Sequence, residues 1–269
     1  MIILFAFAYS MYVSAQKHEF SLYYGGGISA ISSNLLSGNN IYGKGRGDFG
    51  LGYTYFFNER LGIHTGAGLG LYTADITLND YTYYTVADNM TDNDGKHYHL
   101  HTMLNRYSEF QEALYLNIPL MVQLQKHSQQ GFYVIGGIKI GVPFGMGNFG
   151  TMDKLWIVNS AFYPEEGTGA PLQEFRDSDY FDGNIDIGLS CIIALEAGMK
   201  WKVGDRVLLY TGVYFDYGQN NIVKDNAPFV RYAPEFDLNG ILSSNLATNV
   251  RPFALGVKLR LALKTTGKS

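Results

Sequence analysis

Apolar residues alternate with small or polar ones along most of this chain, and one of the longest such runs is Ile185–Val203. Its odd positions, from Ile185 through Cys191 and Leu195 to Val203, are all apolar; its even positions are polar, charged or small, except Ile192. Side chains alternate faces along a strand, so a period of two marks a strand with one greasy face and one wet or crowded face. Such a strand is long for a soluble protein, where about 5–6 residues is usual, and long enough for a bilayer, which takes roughly 9–11 tilted residues. The same period predicts further strands at about Phe20–Ala30, Asp48–Phe57, Leu61–Leu78, Ala113–Gln125, Phe132–Phe144, Val207–Tyr217 and Arg251–Leu263. Tight turns at Asn58–Arg60, Lys126–Gln130 and Gly204–Arg206 alternate with longer polar stretches at 31–44, 79–111, 145–184 and 218–250. In an up-and-down arrangement every short connection then falls at one end and every long one at the other, as in outer-membrane barrels. The expected fold class is all-β: an eight-stranded antiparallel up-and-down transmembrane β-barrel with long extracellular loops. An even strand count puts both termini in the periplasm of a bacterial outer membrane.

Composition sharpens the choice between a membrane barrel and a soluble one. The chain holds 21 Tyr and 32 Gly, and only 16% of its residues are charged, below the usual quarter or so. A soluble barrel turns its apolar face inward and needs a charged outer face. Here the other face is mostly glycine with a few charges, so the apolar face is assigned to lipid. Eight strands leave an interior just wide enough for side chains. The inward charges Lys139, Asp186, Glu196, Lys200, Lys202, Lys258 and Arg260 then have to pair, because a lone buried ion is costly. Tyr53, Tyr55, Phe57 and Trp201 near the turn end, and Phe215, Tyr217 and Phe253 near the loop end, have the placing of two aromatic girdles.

The run Met1–Ala15, closing on Val13-Ser14-Ala15, has the pattern of a secretory signal peptide, although no basic residue precedes it. Residues 16–269 form the barrel domain. A net charge of −4 supplies no basic footprint for nucleic acid, and the single Cys191 permits no internal disulfide. The expected partners are outer-membrane lipid and other envelope proteins.

Tyr115-Leu116-Asn117-Ile118-Pro119-Leu120, followed after a turn by Gly131-Phe132-Tyr133-Val134-Ile135-Gly136-Gly137, resembles the Tyr-Leu-x-Ile-Pro-Leu strand and Gly-rich next strand of PorT-like outer-membrane barrel proteins. The layout of the whole mature chain is similar to the OmpA-type transmembrane domain. It departs from the usual C-terminal aromatic: Leu263 is followed by Lys264–Ser269. The resemblance implies an outer-membrane role and carries no catalytic residue.

Chemistry-bearing groups are few. Gly145-Met-Gly147-Asn-Phe-Gly150 matches G-x-G-x-x-G, but the residues that follow lack the helix start a dinucleotide site needs. His97, His99 and His101 alternate and are a possible loop metal site. On a straight strand adjacent ones stand about 7 Å apart, so only a bent loop brings three to one ion. Trp156, Phe162, Tyr163 and Tyr180, in a stretch rich in acids, are a possible loop recognition surface; the alternative is that the loops pack on one another as a cap. No nucleophile, base and acid fall into a common site. The chain is expected to be non-enzymatic and without a cofactor. It is read as a structural or accessory subunit acting through its loops in an envelope or secretion complex. The alternatives are a small porin for ions or small solutes, and a loop-based glycan or protein binder.

Overall fold

The computed structural model describes residues 17–35, 40–128, 130–145, 147–164, 173–223, 227–231 and 237–266. The strands in chain order are β1 (Lys17–Leu35), β2 (Asn40–Tyr42), β3 (Lys44–Phe56), β4 (Leu61–Thr91), β5 (His97–Gln125), β6 (Gly131–Pro143), β7 (Gly147–Thr151) and β8 (Leu155–Phe162). They continue as β9 (Gln173–Asp179), β10 (Asp182–Ile185), β11 (Ser190–Lys202), β12 (Val207–Gly218), β13 (Val230–Arg231), β14 (Asp237–Leu238) and β15 (Ala247–Thr266). A 3-10 turn spans Ile241–Ser243. The signal-peptide stretch lies outside the described residues.

Eight of these strands close a ring in the order β1, β3, β4, β5, β6, β11, β12, β15 and back to β1, every pair antiparallel. Closure removes any sheet edge, which a strand in lipid cannot leave unpaired. The period of two then sorts side chains by solvent. Phe20, Leu22 and Tyr24 of β1 are 55%, 59% and 62% exposed, and Leu120, Phe132, Leu195, Val257 and Leu261 share that outward band. A continuous apolar belt of this extent is unstable against water and matches a bilayer. The chain is therefore an eight-stranded transmembrane β-barrel. At the turn end His18, Tyr53, Tyr55 and Phe57 stack along the rim, and at the loop end Phe215 packs on Tyr217 and Phe253.

The turns are short for local reasons. Asn58 Oδ1 accepts the amides of Arg60 and Leu61, each at 2.9 Å, closing β3 onto β4 as an Asx turn does. The longer connections fold differently from the expectation. Positions 79–111 are no loop: β4 and β5 continue as one hairpin, paired from Leu61↔Leu124 to Thr91↔His97 with register shifts near Leu78 and Ala87. The 31 residues of β4 run roughly 100 Å at about 3.3 Å each, far beyond a hydrocarbon core of about 30 Å. The upper half escaped the sequence pattern because it stands clear of the hydrocarbon, so no lipid face imposes the period of two there.

β5 changes partner as it rises, from β6 at Tyr115–Gln125 to β7 at Glu109–Glu112 and β8 at His99–Asn105. With β9, β10 and the stretches 218–223, 227–231 and 237–246, these strands form a folded crown over the loop end. One apolar core runs through both parts, from Tyr72, Tyr115 and Ile192 in the barrel to Phe149, Ile157, Phe229 and Ile241 above it.

The run Ile185–Val203 is also not one strand. β11 begins at Ser190, and the chain between leaves the ring, with the Gly188 amide on Ile222 O at 2.6 Å. Ile185 and Ile187 therefore point into the crown core and not to lipid.

Candidate functional site

The inward positions of the ring meet in a tyrosine-packed ladder of charge. Glycine makes the room. A Cβ on Gly68 would lie 1.9 Å from the Tyr23 hydroxyl, and one on Gly198 would lie 2.0 Å from Thr211 O. Into that space project four buried acids, Glu19, Asp48, Glu196 and Asp216, and four buried bases, Lys139, Lys200, Lys258 and Arg260. Among the described residues the two signs balance.

At the turn end Tyr210 donates to Glu19 at 2.8 Å, and Arg260 donates to Gln123 at 3.1 Å. The Arg260 guanidinium sits over the Tyr210 ring at 4.1 Å, and His64 is shared between Thr54 and Arg260. One level up, Tyr133 donates to Glu196 at 2.8 Å. Lys258 bridges Glu196 at 3.6 Å and Asp48 at 3.4 Å, with Tyr23 and Tyr214 against its ammonium at 4.8 and 4.7 Å. Nearest the crown, Lys139 and Asp216 pair at 2.6 Å. Opposite charges in a confined, poorly hydrated volume attract strongly, and each ion has a partner or a ring face to offset its lost hydration.

Of the charges expected here, Lys139, Glu196, Lys200, Lys258 and Arg260 are buried in the lumen. Asp186 is not among them: it is exposed on the segment that leaves the ring. Lys202 lies at the turn end, where it pairs with Asp205 at 3.4 Å. Asp48, Asp216, Glu19 and His64 were not singled out. Their parity within β3, β12, β1 and β4 puts them on the inward face, a signal available once the strand limits are set.

The crown holds a fifth buried acid, Glu109, and among the described residues no cation pairs with it. Tyr107 donates to it at 2.7 Å, the Ile241 amide donates at 2.8 Å, and the Gln111 side-chain amide donates to it as well. Burial pushes its carboxyl up to about 7, against the pull of these hydrogen bonds. Glu109 thereby ties the 3-10 turn to β5.

His97, His99 and His101 all lie on strand β5, not on a loop. His99 pairs with Asp88 of β4 at 2.7 Å, His97 contacts Thr91, and His101 packs near Phe162. Among the described residues no three His, Cys, Asp or Glu side chains gather as metal ligands. Gly147–Gly150 of the glycine motif lies in strand β7, not ahead of a helix. Of the recognition candidates, Trp156 and Tyr180 are 64% and 57% exposed. Phe162 and Tyr163 are half-buried against His99 and Tyr98.

No protein-family model matches the sequence, and no curated protein matches it. Among solved structures, the chain is similar to the outer membrane protein OprG from Pseudomonas aeruginosa, with 11% identity over 94% of this chain and 97% of that one, at a TM-score of 0.43. It is also similar to Ail of Yersinia pestis in complex with the heparin analogue sucrose octasulfate (10% identity, 94% and 100% covered, TM-score 0.30). A third likeness is to Neisserial surface protein A (11% identity, 94% and 98% covered, TM-score 0.32). Likenesses this distant carry no argument about activity.

Proposed function

We propose that this protein is a non-enzymatic barrel of a bacterial outer membrane, closed to solutes, that holds its crown outside the cell as the working surface of an envelope or secretion complex. One observation carries the reading: the lumen is filled by paired charges and tyrosines, and an apolar core stoppers its loop end. On this reading the interior above the turn-end cavity of about 310 Å³ holds no continuous water path, which weighs against the small porin.

In this reading residues 1–15 direct export, both termini lie in the periplasm, and the loops are extracellular. Kinship with PorT-like and OmpA-like barrels rests on Tyr115–Leu120, Gly131–Gly137 and the strand layout. The reading is tested by adding the purified barrel to a planar bilayer and, separately, by affinity capture from detergent-solubilised envelopes. No steady conductance is expected, together with capture of an envelope protein that is lost when positions 155–179 are replaced by a Gly-Ser linker. A stable ohmic conductance from the wild type refutes the closed barrel. Capture unaffected by loss of that segment refutes the crown as the working surface.

A further inference from the structure

The inner face of the crown sheet continues past the core that covers its lower part. Going outward, the β5–β8 pairs on this face are Leu104 with Ile157, Thr102 with Asn159, and Leu100 with Ala161. Leu104 and Ile157 belong to the apolar core. Leu100 is half-buried, and Tyr98 and Tyr163 follow at the tip. With Thr91, Asp92 and Asn93 of the β4–β5 turn, Tyr98, Leu100, Asn159, Ala161 and Tyr163 line a cleft of about 370 Å³. Small-ligand sites run about 300–1,000 Å³.

The cleft is built in three parts. Leu100 and Ala161 make an apolar floor. The Tyr98 and Tyr163 rings, 5.5 Å apart and inclined at 36°, make an aromatic wall. The polar rim is held in place by the protein. Asn159 Oδ1 accepts the Thr102 hydroxyl at 2.6 Å, which orients the amide and leaves its Nδ2 as a donor. Asp92 Oδ1 accepts the amides of Lys96 and Asp94, each at 2.9 Å. The Lys96 amide, which outweighs desolvation, and then the Asp94 amide and the Tyr163 hydroxyl hold the Asp92 carboxyl below the usual range. It is an ionised acceptor at neutral pH.

An aromatic face beside a fixed donor and a fixed acceptor suits a pyranose ring. Its C–H face lies on the tyrosine and its vicinal hydroxyls bond the amide and the carboxylate. Charge narrows the class. The turn carries Asp88, Asp92 and Asp94 against Lys96, so a sulfated or phosphorylated ligand meets net repulsion. A polyamine cation carries no acceptor for the Asn159 amide donor, whereas sugar hydroxyls can accept from that amide and donate to the one acceptor site that Asp92 keeps beside its three donors. We propose that this cleft binds a pyranose unit of a neutral glycan; the proposal rests on the reading of the crown as the working surface.

The full chain, refolded into lipid nanodiscs, is titrated with maltohexaose, cellohexaose and chitohexaose, followed by saturation-transfer NMR. A heparin hexasaccharide and spermine serve as charged controls. Binding of at least one neutral oligosaccharide and of neither control is expected. Tyr98→Ala and, on the facing strand, Asn159→Ala should each weaken it by about tenfold, the scale of one lost aromatic or hydrogen-bonded contact, while Tyr98→Phe keeps the stacking and most of the affinity. Both alanine variants are checked for wild-type heat-modifiable mobility, so that lost binding is not lost folding. The inference is overturned if the wild type binds none of the three, if only a charged control binds, or if both folded alanine variants bind as the wild type does. A wild type that binds no oligosaccharide yet captures its envelope partner and stays non-conducting overturns this inference alone.

Discussion

Leu195 and Gly198 stand three residues apart on β11 and answer to different surroundings. Leu195 is 50% exposed on the outward face near the middle of the strand, so Leu195→Arg puts a charge into hydrocarbon at a cost of about 2–4 kcal/mol. At Gly198 a Cβ would meet Thr211 O and Gly212 Cα, so Gly198→Val fails by overpacking, at about 1–3 kcal/mol or more. Urea unfolding of the refolded barrel should show both losses, and equal tolerance of both substitutions would disprove the two-faced strand. Lys258 makes the third case. Lys258→Met leaves Asp48 and Glu196 buried without their shared cation, and breaking a buried pair from one side costs about 3–5 kcal/mol. The loss should be recovered in part when Asp48→Asn and Glu196→Gln are added, because the stranded charges then disappear. No recovery in the triple variant would mean that Lys258 contributes packing and not charge.

At the scale of elements, the crown depends on contacts between segments far apart in the chain, and Glu109 is one that titrates. Its folded value near 7 lies above the ordinary value of 4.5, so the native state holds the proton more tightly than the unfolded state. The stability from this group is full below about pH 4.5 and is lost as pH rises through 7. Hydrogen exchange at positions 237–246 should therefore be slower at about pH 5.5 than at about pH 8, after correction for the intrinsic rate. Glu109→Gln, which cannot titrate, should flatten that difference. An equal pH dependence in Glu109→Gln would remove Glu109 as its source. The element scale is also where the period of two along the chain is weakest. Strands β7, β8 and β10 present mixed faces, because water, loop and sheet all touch them, and no clean alternation survives.

At the scale of the molecule, turns at one end and crown at the other set an orientation. In a Cys191→Ser background, Asp94→Cys on the β4–β5 turn should react with a membrane-impermeant maleimide on intact cells. Asp205→Cys on the β11–β12 turn should react only after the outer membrane is opened. The opposite result would invert the barrel. The proposed closure of the lumen belongs to this scale as well, since no single pair would seal it. The seal would come from the buried ions at three levels under an apolar stopper.

The sequence by itself determined the number of ring strands, their alternation, the three tight turns and the lipid-facing side chains. These depend on neighbours two residues apart and on one uniform outer solvent, so a local period carries them. It also placed Lys139, Glu196, Lys258 and Arg260 inside, by parity alone. Which acid each cation meets was decided only by the closure of the ring, because Lys258 reaches Asp48 from β15 across β1 to β3, and register sets that distance. The tertiary structure also moved Asp186, Ile185 and Ile187 out of the strand pattern. Their segment leaves the ring to bond Ile222 and Val223, and a bond to a residue more than 30 positions away leaves no periodicity to detect. The crown, its buried Glu109 and the Tyr98–Tyr163 cleft are of the same kind: side chains from separate segments brought together by packing in water, where no single solvent imposes a rhythm on the chain.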